Sequence, residues 1–194
     1  SGANVDQDEN GTGEYGLFNE LTGASTMRED AGNTKAAVST SFISISFQAS
    51  KAGYVGNAAA ANDGAGNKSG YLYKMYLPAA GAPMSDAPGS VSNGLSTDAE
   101  EQESAWIAYA WPANWGSSGI RAFCVDAAGE VVGTANLSGT VGEYDGKGAG
   151  NATAPDSDGG MDSTYATAPG PQVFVRLATS GKGIDNLVWA SVGS

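Results

Sequence analysis

The sequence predicts an α+β to mainly β fold. It should form a single domain over residues 1–194, on an antiparallel sheet of at least four strands with long Gly-rich loops and one or two short helices. Three observations carry this. Alternating aromatic segments recur at Gly70–Pro78 (GYLYKMYLP) and Trp106–Trp111 (WIAYAW). The two segments Ile120–Asp126 and Glu130–Thr134 flank a short Ala127-Ala128-Gly129 turn, as in a hairpin. The 29 glycines and only 15 % charged residues leave little sequence with a helical period.

The elements follow in chain order. Residues 1–16 are acidic and turn-rich, and Leu17-Phe18-Asn19-Glu20-Leu21, stopped by Gly23, reads as one helical turn. Residues 36–49 alternate at Phe42-Ile43-Ser44-Ile45-Ser46-Phe47, which favours a strand, while the flanking Ala and Gln permit a helix. Residues 52–68 read as a loop. In the strand at 70–78, Tyr71, Tyr73 and Met75 point one way and Leu72, Lys74 and Tyr76 the other. Thr97-Asp98-Ala99-Glu100-Glu101 carries a cap residue and first-turn acids, a short-helix signature. After the hairpin, residues 138–170 read as a long loop, followed by strands at Gln172–Leu177 and Asn186–Val192.

Composition excludes several functions. With 21 acids against 9 bases the formal charge is −12, so nucleic acid is repelled and no basic stripe offsets it. The absence of His removes Ser-His-Asp and Cys-His catalysis and the usual zinc enzymes. No disulfide framework can be built from the single Cys124, which reads as a buried small hydrophobe in a strand. The expectation is therefore a protein without catalysis. Glu100, Glu101 and Glu103 lie before an aromatic strand, and paired carboxylates can hydrolyse glycosides without His; a capped helix leading into a core strand is the plainer reading.

The most pointed motif is Asp6-x-Asp8-x-Asn10-Gly11-x-Gly13-Glu14. Oxygen side chains at alternate positions of a tight loop can converge on one cation, with Gly11 making the turn. Thr12 would add its carbonyl and Glu14 a further carboxylate, which makes Asp6, Asp8, Asn10, Thr12 and Glu14 a candidate Ca²⁺ site. The twelfth position is Leu17, so closure must come from elsewhere, with Glu20 a candidate. A second, weaker acidic loop holds Asp156, Asp158 and Asp162. Asn-x-Ser/Thr occurs at Asn10, Asn67, Asn136 and Asn151, a pattern compatible with export.

The order of motifs resembles a family. The run Asp-x-Asp-x-Asn-Gly-x-Gly-Glu-Tyr-Gly-x-Phe-x-Glu-Leu-x-Gly at 6–23 is similar to a stretch of type IV pilin-like and type II secretion pseudopilin-like proteins of planctomycete-type bacteria. Ser69–Pro78 resembles the first sheet strand of that family, and Glu103–Pro112 with Gly119–Val131 resembles the next three. The resemblance covers about residues 1–135 and fades over 138–194. It implies a globular head that follows a hydrophobic N-terminal helix, absent from this chain, which anchors the subunit in the membrane and then packs in a filament. The implied partners are further copies of the chain and other pilin-like subunits, and the implied location is extracellular, at the cell surface or in the periplasm. From another class, a secreted carbohydrate-binding or adhesin module would use Tyr109, Trp111 or Trp115 as stacking platforms, provided they are exposed.

Overall fold

The computed structural model describes residues 6, 8–28, 34–35, 37–48, 64–79, 83–86, 99–146, 155 and 178–193. In chain order these form a helix Phe18–Thr22 (α1), strands Met27–Arg28 (β1) and Thr34–Lys35 (β2), and a 3-10 turn at Ile45–Phe47. Strands Gly66–Lys68 (β3) and Tyr71–Tyr76 (β4), helix Ala99–Ser104 (α2), and strands Ile107–Pro112 (β5), Ala122–Asp126 (β6) and Val131–Thr134 (β7) follow. Leu137–Ser138 (β8), Val141–Gly142 (β9), Ser180–Lys182 (β10) and Val188–Ser191 (β11) complete the described elements.

Seven strands make one antiparallel sheet in the order β10-β11-β7-β6-β5-β4-β3. The fold class is the expected one, an antiparallel sheet with two short helices. β3 to β7 form a meander, and β10-β11 returns as a hairpin beside β7. The expected hairpin is present, with Gly129 at φ 78° closing its turn.

The register sorts side chains onto two faces. Leu72 faces Trp111, Tyr109 faces Cys124, Cys124 faces Val132 and Thr134 faces Trp189. This inner face is sealed: Ile107, Trp111, Val132 and Trp189 are 0 % exposed. Tyr109 meets Tyr76 and Trp189 edge-on at 6.2 and 6.3 Å, geometries that aromatic rings favour. Burying each such side chain contributes about 1.5–3 kcal/mol. Cys124 is buried here, as read from the sequence. Burial pushes its thiol well above the ordinary range.

The outer face carries Tyr71, Tyr73 and Met75 of β4, Ala108 and Ala110 of β5, and Phe123 and Val125 of β6. At one end it is covered by the N-terminal segment. Leu17 packs there with Met75, Leu77 and Met84, with Tyr15, Phe18, Trp106 and Ala108 around them. A chain of rings, Phe18 to Phe47 at 5.5 Å and Phe47 to Tyr73 at 4.9 Å, continues this cover along β4.

Several expectations are corrected. The alternating run at 42–47 is neither a strand nor an α-helix: only Ile45–Phe47 is regular, as a 3-10 turn, and Phe42 and Ile45 are exposed. Its second aromatic, Phe47, supplies the packing. The loop at 52–68 contains β3, whose Gly66 lies so close to Phe47 that a Cβ would meet the Phe47 carbonyl oxygen at 2.4 Å. The loop at 138–170 opens with the β8-β9 hairpin. The strand expected at 172–177 lies outside the described residues.

Candidate functional site

The acidic N-terminal motif folds as a turn held by its own side chains. Asp8 accepts hydrogen bonds from the Asn10 backbone at 3.1 Å and from Asn10 Nδ2 at 2.9 Å. Asn10 Oδ1 accepts from Thr12 N at 2.7 Å, and Asp6 Oδ2 from Gly11 N at 3.2 Å. These are the turn-forming bonds that short polar side chains make to nearby backbone. Gly11 provides the expected sharp turn at φ 90°. Asn10 Nδ2 also donates to Glu103 Oε1 of α2 at 2.8 Å, tying the turn to the second helix.

The donor set for a cation is therefore partly drawn together and partly dispersed. Asp6, Asp8 and Asn10 share one turn, and Asp6 Oδ1 is buried with no hydrogen-bond partner. Glu14 lies below the turn, in the protein interior at 1 % exposure. Among the described residues no three Asp, Glu, His or Cys side chains converge as a metal group. Asp156, Asp158 and Asp162 lie outside the described residues.

Glu20, expected as a closing carboxylate, is committed elsewhere. Its Oε2 accepts the Leu17 backbone N–H at 2.8 Å, the return half of a helix cap. Its Oε1 accepts from Arg28 Nε at 2.9 Å and from Arg28 N at 3.0 Å. The Arg28 guanidinium then donates to the Tyr15 carbonyl at 2.6 Å and to Gln102 Oε1. Gln102 Nε2 reaches the Pro78 carbonyl at 2.8 Å, and Tyr15 N donates to the Gln102 carbonyl at 2.9 Å. Glu20, Arg28 and Gln102 are 4 %, 2 % and 0 % exposed, so the network is sealed. It joins the N-terminal segment, α1, β1, α2 and the end of β4. The segment that follows the acidic turn is thus part of the core.

Asp86 completes this region. Its Oδ1 accepts from Asn19 N at 3.2 Å at the start of α1, and its Oδ2 is buried without a hydrogen-bond partner. Burial, with Glu20 nearby, pushes this carboxyl up to about 7.

The aromatic candidates separate. Tyr109 and Trp111 are inside the sheet core and present no stacking platform. Trp115 is half-buried, with Nε1 donating to the Ile120 carbonyl at 3.2 Å and Gly142 packed under its ring. Asn136 is fully buried with its amide bonded to both Tyr144 N and O, so that sequon is closed to modification. Glu103 is bound to Asn10, and Glu100 is exposed at the start of α2.

One feature has no counterpart in the sequence reading. Beyond the N-terminal cover, the outer sheet face holds a shallow apolar depression of about 170 Å³, lined by Tyr73, Ala108, Ala110, Phe123, Val125 and Val131. Val131 is 40 % exposed and, on the neighbouring strand, Val188 is 64 % exposed. The small side chains of Ala108 and Ala110 create it, and only the register of β5 against its neighbours places them there. No family model, no curated protein and no solved structure matches the chain.

Proposed function

We propose that this chain is the globular head of a pilin-like or pseudopilin-like filament subunit, exported from the cell and self-assembling. The observation that carries this reading is the way the N-terminal segment enters the fold. Leu17 and Glu14 are buried to 1 %, and the Glu20–Arg28 pair ties the segment to α2 and the sheet. A subunit pulled or packed through an upstream helix needs a stiff joint between helix and head. A frayed tether would let the head tumble, and subunit spacing would be lost. Here the segment that resembles the pilin-like stretch is also anchored in the core, through Glu14, Leu17 and the Glu20–Arg28 pair.

Calcium belongs to this reading as a stabiliser of the turn at Asp6, Asp8 and Asn10, with the Thr12 carbonyl added. The ion would have to displace the Asp8–Asn10 side-chain bond, and Glu14 would reach it only if the turn settled inward. Among the described residues no helix is long and apolar enough to cross a membrane. In this reading the resemblance, and not this observation, supplies membrane attachment through a hydrophobic N-terminal helix of the kind pilin-like subunits carry.

The test is the upstream coding sequence, together with microscopy of the producing cells. A leader followed by about 20 apolar residues is expected, with antibody to the head decorating surface filaments. An ordinary secretory signal peptide and a freely secreted head would overturn the reading in favour of an adhesin.

A further inference from the structure

On its outer face the sheet carries bases and no acids at one end, while acids border the opposite end. Lys182 pairs with Val188, and Lys68 pairs with Tyr71, which in turn pairs with Pro112. Arg121 directly precedes Ala122, which faces Thr134, which faces Trp189. The register therefore puts Lys68, Arg121 and Lys182 on one row across the sheet, at the Pro112 end of β5. All three belong to the outer face. Lys68 Nζ lies 4.5 Å over the Phe47 ring, and the Arg121 guanidinium lies 5.2 Å over Phe123 and against Gly133. Among the described residues none of the three forms an ion pair. On the outer face of the described strands there is no Asp or Glu. Of the acids at this end, Asp145 and Asp185 spend oxygens on Trp115, Tyr144 and Trp189, and Glu143 lies beside Asp185.

The other end of β5 is acidic. α2 leads into it with Glu100, Glu101 and Glu103, and the Asn10–Glu103 bond holds Asp8 and Glu9 beside them. The β6-β7 turn adds Asp126, opposite Ile107, and the exposed Glu130. The six residues of β5 separate the ends by about 20 Å, which exceeds the roughly 10 Å screening length at 0.1 M salt. The two ends therefore do not cancel, although the chain carries −12 overall.

We propose that the outer sheet face is a head-to-tail contact surface for a second copy of this chain. The acidic α2 end of one copy seats against the Lys68–Arg121–Lys182 row of the next, and the apolar strip at Ala110, Phe123, Val131 and Val188 supplies the dry contact. The surfaces differ, so the contact is heterologous and does not close on a dimer; repeated, it yields an open filament. Opposite charge sets the register and the approach. This deepens the self-assembly reading above and requires no upstream helix.

The test is sedimentation of the 194-residue chain over a wide concentration range at low and high salt. Mass should climb with concentration without levelling at a dimer, and association should weaken about tenfold or more as salt shortens the screening length. Lys68→Glu with Lys182→Glu should sediment as a monomer, and so should Glu100→Lys with Glu130→Lys. An equimolar mixture of the two should restore open-ended association in alternating copies, because each end again meets a row of opposite charge, a recovery that misfolding cannot imitate. Val131→Glu should abolish association with near-ultraviolet dichroism unchanged. A wild type that stays monomeric throughout overturns the proposal. A dimer indifferent to charge reversal does so too, as does a monomer that binds anionic vesicles through the basic row. Failure here leaves the upstream-sequence and microscopy test of the filament reading untouched.

Discussion

Arg28 and Glu20 form an ion pair at 2.9 Å that is closed to water on both sides. Desolvating two charges is costly, and the pair is viable because every oxygen of Glu20 and both outer nitrogens of Arg28 find further partners. Removing one partner strands the other.

Arg28→Met should therefore destabilise the protein by about 3–5 kcal/mol, since Glu20 is left as a buried, uncompensated charge. Glu20→Gln together with Arg28→Met should cost less than the sum of the single changes. Urea unfolding measures both, and additive losses would contradict the coupling.

Asp86 predicts a pH dependence. Its folded value is raised from 3.8 to about 7, so the folded state holds a proton that the unfolded chain releases earlier. Its contribution to stability is then complete below the unfolded value and is lost as pH rises from about 4 to about 7. Asp86→Asn keeps the acceptor for Asn19 N and removes the titration. The variant should flatten this part of the stability profile and exceed wild type at neutral pH, by an amount on the order of 2–4 kcal/mol. Parallel profiles for the two proteins would refute it.

For calcium, a chelator should lower the melting temperature of wild type, and Asp8→Ala should remove that sensitivity. A melting curve unchanged by chelator and by added calcium would end the cation reading of the 6–14 motif.

Cys124 should resist thiol reagents in the native state. Burial raises its thiol well above the ordinary range and leaves little reactive thiolate. Labelling should track global unfolding across a denaturant series. Stoichiometric labelling within seconds in native buffer would show that the β5-β6-β7 core opens locally.

The central strands were legible because their side chains declare themselves. Trp111, Tyr109 and Ile107 alternate with Ala110 and Ala108, and the structure buries the first set to 0–1 %. The edges were not legible. Gly66-Asn67-Lys68 and Ser180-Gly181-Lys182 contain no apolar alternation and become strands because β4 and β11 offer them hydrogen bonds. The run at 42–47 misled for the converse reason, since its period answers to no partner strand among the described residues. At the N-terminal motif, local turn chemistry was readable from Asp8, Asn10 and Gly11. That Asn10 would bond Glu103, 93 residues away, and that Glu20 would answer Arg28, are tertiary facts with no local signal.

The two outermost described strands of the large sheet, β3 and β10, are only three residues long, and both end in Lys. A short charged border is a poor template for a foreign strand. At these two borders crowded copies are kept from fusing through their backbones, so that contact there falls to side chains, which remain reversible and can be edited one residue at a time.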